Sequence, residues 1–221
     1  MLEWATTGGT RSGRERDILE LGPGPTNRTT RLLRERFGRV IGLDVDPEAA
    51  GNVDLAAFYQ YKGGPWPTPD GEFDAIVADF VFEHVEDPVS AFSESLRSLR
   101  PNGVLIIRTP NLWHYVTLVS AVTPHWFHNL TAGRMRKYEA EAHEVYPTHY
   151  RANTARAIRR IARQSGLTVE NITRVEKEPA YGMASRFLFY PFMAYERIVN
   201  ATPALAFARS TLFATLRKRS R

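Results

Sequence analysis

Two acidic side chains and a pair of glycines stand where this chain could hold a charged ligand. Glu20 comes two residues before Gly22-Pro23-Gly24, at the end of a short apolar run, and Asp44 ends the next apolar run. A carboxylate accepts hydrogen bonds from an ammonium group or from paired hydroxyls, whereas glycine lets backbone N–H groups approach an anionic group closely. These residues therefore predict a site for a ligand that carries groups of both signs.

Regular elements must position these groups. Residues 17–21 and 39–44 read as buried strands, and between them Thr26 or Asn27 is placed to cap a helix that continues to about Phe37. Strands then alternate with helices, which predicts an α/β fold with a parallel sheet, and ligands bind at the carboxyl ends of such strands. The further predicted strands cover 55–61, 73–79, 104–109 and 167–175, and the further helices start at Asp87 and at Asn153-Thr154.

Composition excludes several classes of protein. The chain has 221 residues, 43% of them apolar, a net charge of +5 and no cysteine. It can bury a full core, but it has no disulfide framework, no thiolate metal site and no cysteine nucleophile. Because no apolar stretch is long enough, we expect neither a signal peptide nor a membrane-spanning helix. These features predict a cytoplasmic protein.

Residues 110–153 interrupt the alternation and read as an insertion or lid after the fifth strand. They hold five of the six histidines, among several aromatic side chains. His125 and His128, three residues apart, could share a helix face and bind a metal, but no clear acidic ligand accompanies them. We therefore expect no metal site and favour a polar and aromatic pocket for a substrate, with His114, His125, His143 and Arg151 as the predicted contacts.

Five short motifs occur in one order and register. They are Ile18-Leu19-Glu20-Leu21-Gly22-Pro23-Gly24, Gly42-Leu43-Asp44, Phe73-Asp74-Ala75-Ile76-Val77, Phe82-Glu83-His84-Val85 and Leu99-Arg100-Pro101-Asn102-Gly103. Over residues 17–109 the chain resembles the class I S-adenosylmethionine-dependent methyltransferases. The resemblance implies a three-layer α/β/α Rossmann-like methyltransferase fold with a mostly parallel seven-stranded sheet and S-adenosyl-L-methionine as the cofactor.

The resemblance also implies roles for individual residues. Glu20 attracts the cofactor's ammonium or sulfonium, the glycine turn receives its methionine end, and Asp44 accepts the ribose hydroxyls. Where the family often has an acid after its third strand, this chain has Tyr61, which is a candidate for stacking on the adenine. The predicted cofactor contacts are Glu20, Gly22, Pro23, Gly24, Asp44, Val45, Tyr61, Asp79 and Phe80.

Methyl transfer needs alignment and exclusion of water, and a hydroxyl acceptor also needs a base. His84, just past the fourth strand, and His128 in the insertion are the predicted catalytic residues. A lone histidine at such a place more often bonds locally, so a structural role for His84 stays open. The predicted acceptor is a small molecule, a glycan or a lipid-linked group, and nucleic acid is not expected.

Two other functions remain to be separated from this one. A nicotinamide dinucleotide site would need a third glycine three residues after Gly24, and that position is Asn27. A cofactor-binding scaffold without catalysis is the second alternative, because no base is forced by the sequence.

The end of the chain is predicted to be an aromatic and basic extension, residues 179–221, that follows a methyltransferase domain of residues 1–178. Its apolar spacing predicts a last amphipathic helix over 203–218, as part of a C-terminal helical extension. The end of this predicted helix is basic, so we expect peripheral contact with the inner face of a membrane or with a partner. The alternative is that the aromatic block at 187–195 and the last segment pack on the sheet, one of them as its seventh strand.

Overall fold

The computed structural model describes residues 15–115, 117, 146–176 and 186–220. These residues form one seven-stranded sheet of order β3-β2-β1-β4-β5-β7-β6, in which only the pairings of β7 are antiparallel. The predicted fold class is confirmed. In chain order the strands are β1 (Asp17–Leu21), β2 (Arg39–Asp44), β3 (Ala57–Gln60), β4 (Phe73–Asp79), β5 (Leu99–Pro110), β6 (Thr168–Val175) and β7 (Thr211–Arg217).

The helices begin where side chains can satisfy free backbone N–H groups. They are α1 (Arg28–Arg36), α2 (Pro88–Ser98), α3 (Ala155–Ser165) and α4 (Arg186–Ala201), with short 3₁₀ helices at Pro47–Gly51 and Pro203–Ala208. Asn27, Asp87 and Thr154 each accept a hydrogen bond from the first turn of the helix that follows. α3 stops at Gly166, whose φ of 85° lies in the left-handed region.

The sheet is covered on two faces. On one face, Leu33 of α1 and Phe37 just after it pack against Ile18 and Ile106. On the other, α2 and α3 pack over a larger cluster that includes Phe73, Phe92, Ile158 and Leu212, all buried completely. This sandwich fixes the carboxyl ends of β1, β2, β4 and β5 at one edge, because parallel neighbours end on the same side.

The predicted helix over 203–218 is wrong. Residues 211–217 form β7, which inserts between β5 and β6, and Leu212, Ala214 and Leu216 alternate into the core. The spacing of Leu212 and Leu216 suits a helix face, but it equally suits one face of a strand, where every second residue points the same way. The predicted extension, residues 179–221, thus contains a strand of the main sheet, and the seventh strand comes from its second segment.

The aromatic block forms a helix and is not part of the sheet. Residues 189–195 belong to α4, which packs on the second 3₁₀ helix and donates a hydrogen bond from Tyr195 Oη to the Ala208 carbonyl at 2.6 Å. Of the described helices, none is long and apolar enough to cross a bilayer.

Candidate active site

The glycine turn after β1 has the predicted geometry. Gly22 and Gly24 have φ of 63° and 61°, a region in which a side chain costs about 1–2 kcal/mol. A Cβ at Gly22 would lie 2.8 Å from Val81 Cγ2, whereas a Cβ at Gly24 would meet nothing within 4 Å. Gly22 is therefore required by packing as well as by conformation, and the space beside Gly24 is open to a ligand.

Two side chains fix this turn: Asn52, which the sequence analysis did not single out, and the predicted cofactor contact Pro23. Asn52 Nδ2 donates to the Gly24 carbonyl at 3.0 Å, and Asn52 is buried. Pro23, also buried, rests on β2 at Gly42, where a Cβ would come within 2.9 Å of the proline ring. The glycine at 42 stands within a quoted motif and was a signal for close packing, but nothing in the sequence marks Asn52.

The carboxyl group of Glu20 is buried and has no hydrogen-bond partner in the described part of the chain. The residue is fully buried, and neither carboxylate oxygen is hydrogen-bonded within the described part of the chain. Burial raises the pKa of Glu20 to about 7; the Thr30 hydroxyl, which approaches the carboxylate without the geometry of a hydrogen bond, opposes this shift, and the Asp79 and Asp44 carboxylates add to it. Both carboxylate oxygens of Glu20 can therefore accept hydrogen bonds from a cationic group beside the glycine turn.

Asp44 stands at the tip of β2, next to the same turn. Its Oδ2 accepts from Gly24 N at 3.0 Å and its Oδ1 from Asp46 N at 3.1 Å, so each oxygen keeps a further lone pair. The following Val45 is exposed, and Tyr61 donates its backbone N–H to the Asp44 carbonyl. The structure thus places three predicted cofactor contacts together at the ends of β2 and β3.

Asp79 at the end of β4 is already engaged. It accepts from Thr29 Oγ1 at 2.6 Å and pairs with Arg108 Nε at 3.2 Å. The Arg108 guanidinium also lies 4.4 Å over the ring of Phe80, whose φ of 55° is unusual for a residue other than glycine. Arg108, which the sequence analysis did not select, therefore orients two predicted cofactor contacts; its signal was a charge near the end of a buried strand.

A cavity of about 160 Å³ lies between α1 and the sheet on the side of Asp79 and Arg108. Apart from these two and Thr29, its walls are apolar, among them Leu32 and Val77. Its lining does not include the glycine turn, so this cavity is separate from the polar groups of the candidate site.

Glu83, in the loop after β4, is a second buried acid. Burial raises the pKa of Glu83 to about 7 against hydrogen bonds from its own backbone and from Thr109. Thr109 Oγ1 donates to Glu83 Oε2 at 3.1 Å and accepts from Asn153 Nδ2 at 2.7 Å. The Glu83 carbonyl also accepts the N–H groups of His149 and Tyr150. This chain of hydrogen bonds ties the loop after β4 to the end of β5 and to the start of α3.

His84 lies beside Glu83 and is partly exposed. Its Nδ1 is 3.1 Å from the Pro147 carbonyl, which can only accept, so Nδ1 carries the proton and Nε2 is left as an acceptor. Arg151, in the segment before α3, donates to the carbonyl of Glu86 on the same loop at 2.5 Å. The structure therefore brings the predicted catalytic His84 and the predicted substrate contact Arg151 to one place.

His114 is placed differently from the other candidates. It is buried in an aromatic cluster with Tyr115 and Tyr195, and its Nε2 is 3.7 Å from Glu176 Oε2, beyond hydrogen-bond length. Burial lowers the pKa of His114 to about 4 and raises the pKa of Glu176. This histidine is thus neutral and packed against α4.

The remaining predicted residues cannot be placed. His125, His128 and His143 lie outside the described residues. Among the residues that are described, no three histidine, aspartate or glutamate side chains gather in a way that could hold a metal ion.

Comparison with known proteins shows sequence similarity over part of the chain. A family model described as a methyltransferase domain matches residues 5–172. A protein of Mycolicibacterium smegmatis named as a probable S-adenosylmethionine-dependent methyltransferase is 37% identical over 100 residues, 43% of this chain and 38% of its own length. The trans-aconitate 2-methyltransferase of an Azoarcus species is 35% identical over 99 residues, 42% of this chain and 38% of its own length. The chain therefore aligns with less than half of these relatives.

Solved structures resemble the whole chain. An S-adenosylmethionine-dependent methyltransferase from Mesorhizobium loti has a TM-score of 0.59 at 17% identity, covering 94% of this chain and 93% of its own. The geranyl diphosphate C-methyltransferase of Streptomyces coelicolor, solved with S-adenosyl-L-homocysteine, has a TM-score of 0.59 at 14% identity, covering 98% and 74%. A methyltransferase solved with an activator protein from Haloferax volcanii scores 0.62 at 18% identity, covering 99% and 88%. At these identities the likeness supports the fold, and together with the matched family model it shows that the chain belongs to the methyltransferase-domain family, the class I S-adenosylmethionine-dependent methyltransferases.

Proposed function

We propose that this chain binds S-adenosylmethionine at the glycine turn and transfers its methyl group to an acceptor held beside the loop after β4. The observation that carries the proposal is Glu20, a fully buried carboxylate without a hydrogen-bond partner among the described residues. A buried acid of this kind destabilises the fold unless a ligand completes it. The cofactor's ammonium is a matching donor.

The residues around the turn suit the other parts of the same ligand. Bound S-adenosylmethionine supplies an activated methyl group on a sulfonium. Asp44 has lone pairs left to accept the ribose hydroxyls, and Val45 and Tyr61 offer apolar surface for the adenine. Backbone N–H groups at the start of α1 favour the carboxylate end. These residues bind and orient, which is the main task of the protein in a displacement at an activated carbon.

On the acceptor side, His84 is the proposed general base. The Pro147 carbonyl holds its Nδ1 proton, so Nε2 can take a proton from a hydroxyl of the acceptor. This favours an acceptor whose nucleophile loses a proton, carried on a small molecule, a glycan or a lipid-linked group. Trans-aconitate is not assigned, because only 38% of that relative aligns with the chain.

Calorimetry and a transfer assay test the proposal together. We expect micromolar binding of S-adenosylhomocysteine and none of NAD. With cofactor labelled on the methyl group, label should move to one member of a panel of small molecules, glycans and lipid-linked acceptors. Binding without transfer to any member would favour the scaffold, and binding of NAD would favour an oxidoreductase.

A variant of His84 tests the base. His84→Gln should lower transfer by about 100- to 10,000-fold while the dissociation constant for S-adenosylhomocysteine stays within about twofold. The matched control is His149→Gln, a histidine of the neighbouring segment whose backbone, not its ring, bonds to Glu83. Equal losses in the two variants would remove His84 from the mechanism.

A further inference from the structure

The outer face of α3 carries a row of arginines. Arg156, Arg159, Arg160 and Arg163 are all exposed, at spacings of three and four residues that bring their side chains to one side of the helix. Arg174 of β6 lies near Arg159; burial and, secondarily, that positive charge lower the pKa of Arg174. Within the described residues, no ion pair joins any of these five side chains to an acid.

This row opposes the stability of its own helix. Arg156 with Arg159 and Arg160 with Arg163 are like charges three residues apart, and further pairs are four apart, which destabilises a helix. Arg156 also stands in the first turn, where the helix dipole disfavours a positive charge. No aspartate or glutamate occurs from Tyr146 to Val169 to offset these charges. An anionic partner would relieve the repulsion.

A second arginine-rich helix shows that composition alone does not produce such a surface. On α1, Arg31 Nε lies 3.6 Å and Arg34 Nη1 3.4 Å from the Asp54 carboxylate. The Arg31 and Arg34 side chains are 71% and 57% exposed, and both pair with Asp54. The charge of α3 is not balanced in this way.

Exposed apolar side chains lie on the segment that is joined to the Arg174 strand. The Arg209 guanidinium donates both to the Arg174 carbonyl at 3.2 Å and to the Val199 carbonyl at 3.2 Å, which joins the end of α4 to β6. Next to Val199, Ile198 is 57% exposed, and Phe207 on the following 3₁₀ helix is 51% exposed. Cations beside exposed apolar groups match a lipid headgroup layer. Single-stranded nucleic acid would instead need aromatic rings within the basic row for stacking, and the row has none.

We propose that the arginine face of α3, with Arg174, docks on a membrane rich in anionic phospholipid, and that the exposed apolar residues at the end of α4 enter the headgroup layer. This surface differs from the chain terminus, whose apolar residues are buried in β7. The proposal concerns binding only and is independent of which group accepts the methyl.

Flotation with lipid vesicles tests this surface. The full chain is mixed with vesicles of phosphatidylcholine, alone or with about one third phosphatidylglycerol, at low and at physiological salt. Arg156→Gln with Arg159→Gln should weaken binding to the anionic vesicles by about 30-fold, at roughly fivefold for each basic residue. Arg31→Gln with Arg34→Gln removes the same charge at the same spacing and should change binding by less than about threefold.

The controls separate binding from folding. The α3 variant should unfold at a temperature no lower than that of the natural sequence, because it removes repulsion, and its affinity for S-adenosylhomocysteine should be unchanged. Equal losses in both double variants would show that net charge, not this face, attracts the vesicles. Equal binding to neutral and anionic vesicles, or displacement from vesicles by nucleic acid at equal phosphate, would overturn the proposal.

Discussion

Glu20 and Glu83 are two buried acids at neighbouring strand ends, and their surroundings differ. Glu20 is in β1 and Glu83 follows β4, which pairs with β1. Burial raises the pKa of each carboxyl to about 7. Glu83 accepts a hydrogen bond from Thr109 and is tied through its backbone to the segment before α3, whereas Glu20 has no partner in the described residues.

The difference teaches that a raised pKa does not identify a binding residue. The same desolvation acts on both acids, but only one keeps its hydrogen-bonding capacity unused. We infer that Glu83 stabilises the loop that carries His84, and that Glu20 binds a ligand.

Substitution of Glu20 gives the largest expected effect. Glu20→Gln should weaken binding of S-adenosylmethionine by about 100-fold, because a charge-assisted hydrogen bond of roughly 2–3 kcal/mol is lost. Calorimetry measures the affinity, and Glu48→Gln, an exposed acid of the 3₁₀ helix after β2, is the control and should stay within about twofold.

Stability should move in the other direction for this variant. Since the Glu20 pKa in the folded chain lies above its usual value of 4.5, ionisation at pH 8 destabilises the ligand-free protein, and the neutral amide removes that cost. A fall in unfolding temperature together with the loss of affinity would mean that Glu20 is a structural residue like Glu83.

Substitution of Glu83 should show the opposite pattern. At pH 6, where the raised pKa of about 7 leaves the Glu83 carboxyl mostly neutral, Glu83→Ala should lower the free energy of unfolding by about 2–3 kcal/mol, because it removes the bond from Thr109 and leaves a cavity. Its affinity for S-adenosylmethionine should remain within about threefold. Chemical denaturation measures the stability; Glu86→Ala, on the same loop but 76% exposed, should cost less than about 0.5 kcal/mol.

The pH dependence of binding separates the two acids again. The cofactor's cation needs Glu20 ionised, so affinity should level off about one unit above pH 7 and fall by up to about tenfold per unit below pH 7. Calorimetry from pH 5.5 to 8 gives the profile. Glu20→Gln should flatten it, whereas Glu83→Gln, which can still accept from Thr109, should retain it; a profile lost in both would make the two acids equivalent.

The smallest effect concerns the partner of Glu83. Thr109→Val keeps the shape of the side chain but removes the hydroxyl, and should cost about 1 kcal/mol of stability with no change in cofactor affinity. Thermal unfolding measures it. Thr173→Val, an exposed threonine of β6, is the control; if both cost the same, the buried hydrogen bond does not hold the loop.

The cofactor half was largely predictable from the sequence. Buried parallel strands are short apolar runs, and the acid and glycines at their ends are local features, so β1, β2 and β4 appear with the predicted bounds. Nothing local marked Asn52, and only a charge near the end of a buried strand marked Arg108, because their contacts join segments 28 and 29 residues apart. For the acceptor half, three of the predicted histidines lie outside the described residues.

The sequence by itself determined where the turn, the acids and most strands stand, since these follow from nearest-neighbour conformation and from hydrophobic period. Tertiary structure decided the rest. Leu212 and Leu216 have a spacing that suits a helix or a strand. The segment is a strand because it pairs with both β5 and β6. Likewise, burial acts alike on Glu20 and Glu83, and only residues distant in the chain give one a partner and leave the other without.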